Sequence, residues 1–150
     1  MKRAGGCQCG AIRFAFEGEL GGASICHCRM CQKAFGAFYG PFVTAKNERL
    51  AWTRGQLAHF QSSNYVRRGF CANCGTPLTY EAVEGQTEIA VGAFDDPNSV
   101  PITSQLSVHT KVAYVDGLSD LPARQLSAFK GELISYQHPD HDTDHWEPRS

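Results

Sequence analysis

The chain has 150 residues, 42% of them hydrophobic and 19% charged, with 14 Lys and Arg against 15 Asp and Glu for a formal net charge of −1. At that length one domain with an ordinary core is expected. The balanced charge leaves no basic stripe for a phosphate backbone, Lys2-Arg3 and Arg67-Arg68 being the adjacent basic pairs, so nucleic acid is excluded as the expected partner.

The N-terminal stretch MKRAGGCQCG passes from two basic residues into glycines and cysteines without an apolar h-region. Nowhere does an apolar run reach the length of a bilayer span, and a soluble, cytoplasmic protein with no membrane partner is expected. AIRFAF follows and places Ile12, Phe14 and Phe16 on one face of a predicted strand. In ICHCRMCQKAFGAF, Cys26, Cys28 and Cys31 fall within six residues, and a helix of a turn or two is predicted after Cys28, through Lys33 and Phe35 to Gly36.

Further strands are predicted in LAHFQS, NYVRRGF, PLTYEA and TEIAVGAF, separated by turn chemistry at Arg54-Gly55, Ser63-Asn64, Glu84-Gly85 and Asp95-Asp96-Pro97-Asn98. The fold class is therefore mostly β with few short helical turns. LSDLPARQLSAFKGELISY is expected to be a brief helix or an irregular cover over the sheet. Residues 1–137 are expected to form one metal-stapled domain, and 138–150, QHPDHDTDHWEPRS from Gln137 onward, a polar flexible tail. Within it His141 and His145 are four apart, but nearby Asp and Pro disfavour the helix that would turn them into a metal pair.

Seven cysteines is an odd number, which a disulfide framework would leave unbalanced. Their spacings, C-x-C at 7 and 9, C-x-C-x-x-C at 26 to 31 and C-x-x-C at 71 and 74, suit metal knuckles. Structural zinc takes four tetrahedral ligands and catalytic zinc commonly three plus an exchangeable position, so a division of four and three uses every thiol. Glycines beside Cys7, Cys9, Cys71 and Cys74 let the backbone turn around an ion, which makes these four the natural closed site. Cys26, Cys28 and Cys31 remain as a trio. His27 lies between two of its members and would point away from them in an extended knuckle; His59 or His109 would close the site, and thiol counting alone leaves open and closed arrangements both standing.

In order and spacing, GGCQCGAIRF, CHCRMCQKAFGAF, RGFCANCGTPLTY and VGAFDDP resemble the signature of the glutathione-dependent formaldehyde-activating enzyme family, which includes centromere-protein-V-like proteins. The resemblance covers roughly residues 5–110. It implies the Mss-four-like fold, a small zinc-stapled antiparallel β-sheet domain similar to methionine sulfoxide reductase B and to a mammalian Rab-binding chaperone. It also implies two zinc ions: a structural one on Cys7, Cys9, Cys71 and Cys74, and an active-site one with an open coordination position on Cys26, Cys28 and Cys31.

The implied activity is that of a carbon-sulfur lyase, reversibly joining glutathione and formaldehyde as S-hydroxymethylglutathione. Glutathione, a small-molecule thiol, is then the expected partner. The competing expectation is a non-catalytic zinc-stapled binding module or thiol carrier. Arg29, Lys33 and Lys111 stand near the trio or near His109 and are candidates for a substrate carboxylate, against the plainer reading of solvated surface charge.

Overall fold

The strand Arg13–Glu17 carries the alternation that organises the interior: Phe14 and Phe16, with Ile12 just before them, are buried as expected. The structure is a computed structural model and describes residues 1–126 and 129–149. Its strands are β1 (Lys2–Gly6), β2 (Arg13–Glu17), β3 (Ala23–Cys26), β4 (Gly40–Lys46), β5 (Leu50–Arg54), β6 (Ala58–Gln61), β7 (Arg67–Phe70), β8 (Pro77–Glu81), β9 (Gln86–Ala90) and β10 (Ser104–Leu106). Among the described residues one α-helix, α1 (Arg29–Phe35), lies between β3 and β4, and short 3₁₀ turns fill several connections.

Two sheets result. A three-stranded antiparallel sheet runs β1-β2-β5, and a seven-stranded sheet runs β10-β3-β4-β9-β8-β7-β6. The larger sheet departs from the expected antiparallel arrangement at one edge, where β10 pairs with β3 in parallel. That pairing follows from the connection: after β9 the chain needs an irregular excursion through residues 91–103 before it can return in the same direction as β3. β1, β3, β4, β5 and β10 were not among the predicted strands.

Phe14 packs edge-on against Phe94, 5.2 Å between ring centroids, and against Trp52 at 5.8 Å. The close approach requires a glycine at position 5, where a Cβ would collide with the Ala93 carbonyl and the Phe14 ring. From the larger sheet Ala23, Val43, Ala45 and Ile89 complete the same core. Strand residues alternate between faces, so the register that buries Val43 and Ile89 turns Ser24, Phe42, Thr44 and Glu88 the opposite way.

The segment expected to be a helix or cover begins inside a 3₁₀ stretch, Val115–Asp120, and among its described residues has no regular structure after that. Ser127 and Ala128 of that segment, and Ser150 of the expected tail, lie outside the described residues. Leu121, Leu126, Leu133 and Ile134 are exposed, so these side chains do not cover a sheet face. Among the described residues no helix is long and apolar enough to cross a membrane.

Where a flexible tail was expected, residues 138–146 lie against the body of the protein. His138 is 3% exposed, and its backbone N–H donates to the Gln8 carbonyl at 2.7 Å. Trp146 Nε1 donates to the Cys9 carbonyl at 2.6 Å and its ring meets that of His138 edge-on. Arg13, whose side chain is 4% exposed, binds Asp95 through two 2.6 Å hydrogen bonds and also reaches Asp142 of the tail at 2.8 Å. Hydrogen bonds from Arg13 hold the Asp142 carboxyl below its ordinary pKa. The physical reason for the docking is unmet demand: a buried guanidinium and the carbonyls of the Cys7–Cys9 turn all require partners.

Replacing Arg13 by methionine is expected to lower the unfolding free energy by about 3–5 kcal/mol, because it strands the Asp95 carboxylate, 16% exposed, without its cation. Asp142→Asn, at a side chain 55% exposed, should cost under about 1 kcal/mol. Urea denaturation of both variants measures the difference, and equal midpoints would contradict it.

Candidate metal centres

Two turns bring four of the cysteines together. Cys7 and Cys9 follow β1, and that turn closes with Gly10 at φ 76°, whose N–H donates to the Cys7 carbonyl. Cys71 and Cys74 lie between β7 and β8, where Gly75 at φ 78° donates to the Cys71 carbonyl in the same manner. Only a residue without a Cβ adopts these left-handed turns freely.

The four ligand atoms lie within 4.8 Å of one another, with Cys7 Sγ 3.6 Å from Cys9 Sγ and Cys9 Sγ 3.8 Å from Cys71 Sγ. Zinc–sulfur bonds of about 2.3 Å in a tetrahedron put neighbouring sulfurs about 3.8 Å apart, so the donor set fits zinc. The sulfurs are also supported from outside. Ile12 N–H donates to Cys7 at 3.2 Å and Asn73 Nδ2 to Cys9 at 3.1 Å.

Burial pushes the Cys7 and Cys71 thiols up in pKa. It acts the same way on Cys74, but hydrogen bonds from Thr76 and the Cys9 region outweigh it and bring that thiol down to about 6. Thiols packed this closely ionise together only beside a cation, so the group could hold a metal ion.

The remaining three meet where β3 hands over to α1. Cys26 ends β3, Cys28 is the N-cap of α1 with extended backbone, and Cys31 lies in its first turn with its N–H donating to Cys28 Sγ at 3.3 Å. Gly36 at φ 58° ends the helix as predicted. The three sulfurs lie within 4.8 Å of one another, Cys31 buried and Cys26 and Cys28 half-buried. Burial raises the Cys31 thiol to about 12 against the opposing effect of Arg68. At Cys28 burial is outweighed by the Cys31 amide and the neighbouring thiols, and its pKa falls below the ordinary value.

Among the described residues no fourth His, Cys, Asp or Glu joins this trio. His27 is buried on the other side of the strand, its Nε2 2.9 Å from Gln105 Oε1 and its ring edge-on to Tyr39. His59 pairs with Glu81 at 3.0 Å, and His109 is exposed on a 3₁₀ turn. His141 and His145 are both exposed and belong to no ligand group among the described residues.

A cleft of about 680 Å³ begins at the trio. Its floor is the face of the larger sheet opposite the core, formed by alternate residues of successive strands: Ser24 and Cys26, Phe42 and Thr44, Glu88, Tyr80 and Arg68. The turn between β6 and β7 supplies Ser62, Ser63 and Val66, and the chain around β10 supplies Leu106 and Ser107.

Arg68 went unrecognised in the sequence, where it reads as half of an exposed basic pair. In the structure Arg67 points out to Glu81, while Arg68 is buried. Its Nη2 donates to Cys31 Sγ at 3.3 Å, its Nε to Ser62 Oγ at 2.9 Å, and its guanidinium lies 5.1 Å from the Tyr80 ring centroid. Nη1 is buried without a partner.

Ser107 is a second unrecognised residue. Among the described residues it is the one non-glycine with positive φ, 53°, and its Oγ is 3.8 Å from Cys26 Sγ. Glu88 is a third, the one carboxylate on the cleft lining among the described residues. By contrast Arg29 binds Gln32, Lys33 is exposed and Lys111 pairs with Asp116, and none of the three lines the cleft.

The sequence profile of the family described as glutathione-dependent formaldehyde-activating enzyme matches residues 2–111. A Schizosaccharomyces pombe protein named as an uncharacterized lyase is 28% identical over 116 residues, 71% of this chain and 79% of that protein. The crystal structure of a Rhodobacter sphaeroides protein is similar with a TM-score of 0.55 and 23% identity, covering 70% of this chain and 99% of that one, a likeness of fold.

Proposed function

The chain belongs to the glutathione-dependent formaldehyde-activating enzyme family, and from that premise we propose that it is a zinc-dependent carbon-sulfur lyase acting on a thiol–aldehyde adduct of the S-hydroxymethylglutathione type. The observation that carries this reading is the contrast between the cysteine groups, a quartet with three of its four members buried and a trio at the end of a cleft. Cys7, Cys9, Cys71 and Cys74 would hold a structural zinc, and Cys26, Cys28 and Cys31 a second with room for a substrate atom. Zinc held there supplies a Lewis acid that favours the thiolate form of an incoming thiol near neutral pH.

In the lyase direction the adduct's hydroxyl gives up its proton to solvent water as its C–O bond becomes a carbonyl. The C–S bond breaks, and its electron pair leaves with sulfur as the thiolate. Synthesis is the reverse addition. Three features of the chain assist. Arg68 sets a positive charge beside Cys31 and so offsets negative charge accumulating on sulfur. The Ser107 hydroxyl, fixed next to Cys26 by its left-handed backbone, is placed to accept a hydrogen bond from the adduct's hydroxyl. Phe42 and Leu106 add apolar side chains to the lining for the carbon chain of the adduct.

The test replaces zinc by cobalt and adds glutathione, then glutathione with formaldehyde. A change in the thiolate-to-cobalt charge-transfer band is expected, and an unaltered spectrum at millimolar thiol overturns the reading. Among the described residues the lining of the cleft offers no His, Asp or Lys, and this favours a second reading, capture of the adduct without turnover. Measuring how fast formaldehyde and glutathione equilibrate with and without protein separates the two, acceleration supporting the lyase.

A further inference from the structure

Three successive carbonyls of the turn that carries Cys7 and Cys9 are held by the C-terminal segment or by a residue tied to it. The Gln8 carbonyl accepts from the His138 backbone N–H at 2.7 Å, the Cys9 carbonyl from Trp146 Nε1 at 2.6 Å and the Gly10 carbonyl from Arg54 Nη1 at 3.2 Å. Arg54 is itself fastened to the segment. Its Nη2 donates to the Thr143 carbonyl at 2.6 Å and its Nη1 lies 3.2 Å from His138 Nε2. The fit is closest at Gly10, where a Cβ would collide with the His138 ring and with Trp146 Nε1. One left-handed glycine therefore closes the knuckle and seats the segment.

These contacts serve one pair of ligands only. Among the described residues the segment's hydrogen bonds to the body of the fold go to Gln8, Cys9, Arg13 and Arg54, and none reaches the Cys71–Cys74 turn. No residue of the segment lines the cleft at the trio. A four-sulfur site gives up an ion by letting one pair of ligands swing away, and the Cys7–Cys9 turn cannot swing while its carbonyls are bonded to a docked segment. Such an opening is a local unfolding event, and its free energy includes every bond that breaks with it.

We propose that residues 138–146 are a strap over the Cys7–Cys9 knuckle that must lift before the quartet gives up its metal, so that the segment sets how long the ion stays. The inference rests on the quartet holding a metal and is independent of the reaction proposed at the trio. The strap also lies outside the region matched by the family profile, which ends at residue 111.

Mixing the zinc-loaded protein with an excess of a chelating dye tests this by the time course of metal release. The wild type is expected to release zinc in a fast and a slow phase, the fast one belonging to the trio and missing from Cys28→Ser. Ending the chain after Gln137 is expected to speed the slow phase roughly tenfold or more and to leave the fast phase as it was. Trp146→Phe keeps an aromatic ring but loses the donor to Cys9, and should speed the slow phase by a smaller factor.

Equal acceleration of both phases overturns the proposal, because the segment then only supports the fold in general. An unchanged slow phase in a shortened chain that still melts cooperatively overturns it as well. Should the shortened chain fail to fold, Trp146→Phe decides, and an unchanged slow phase in that variant is the contrary result. A wild type that releases both ions in a single phase also contradicts the strap. Wild-type protein without zinc on the quartet removes the structural assignment and the strap together, whatever the trio does.

Discussion

A Cys71→Ser protein is expected not to fold. Cys71 is fully buried among the other three sulfurs, and the group links a turn near the N-terminus to one 62 residues later. Closing such a loop costs about 4 kcal/mol of chain entropy, and structural zinc in small domains contributes about 10–16 kcal/mol at neutral pH. Either number is comparable with the whole stability of a domain, about 5–15 kcal/mol. Circular dichroism and metal analysis should therefore find no cooperative thermal transition and less than one zinc per chain. A well-folded Cys71→Ser protein would remove the reason for assigning this group a structural role.

The second large effect separates metal from fold. Cys28 is both a member of the trio and the N-cap of α1, where its sulfur accepts the Cys31 N–H. Serine is a preferred N-cap and takes over that hydrogen bond, while a neutral hydroxyl is a poor zinc ligand beside thiolates. Cys28→Ser is thus expected to melt within a few degrees of wild type, to bind one zinc instead of two, and to lose about three orders of magnitude in formaldehyde–glutathione exchange, the scale of a Lewis acid's contribution. Native mass spectrometry and a thermal melt decide it. If Cys28→Ser and Cys71→Ser are equally destabilised, both ions are staples and the chemistry has no site.

What was legible in the chain was local. Cysteine spacing alone grouped the sulfurs within each turn, and Gly36 ended α1 where expected, because knuckles and helix caps are decided within a few residues. Ile12, Phe14 and Phe16 announced β2 by alternation. β4, in contrast, sits inside the larger sheet with partners on both sides, yet it begins Gly40-Pro41, a pair that reads as a turn. The proline is tolerated at the first positions of the strand.

Arg67 and Arg68 look alike in the sequence, and only strand register reveals that one faces solvent and the other the cleft. Glu88 and Ser107 were hidden for the same reason, since their meaning depends on rungs and turns contributed by distant segments. The polar composition of residues 138–146 likewise gave no sign that Gln8, Cys9 and Arg13 were waiting for them.

The larger sheet devotes one side of each central strand to the core and the other to the cleft, so Val43 and Ile89 anchor the fold while their immediate neighbours Thr44 and Glu88 line the cleft. Selectivity and foldability are therefore written in interleaved positions of one segment. Descendants of this chain are free to drift toward other ligands by exchanging every second residue, leaving the packed interior untouched.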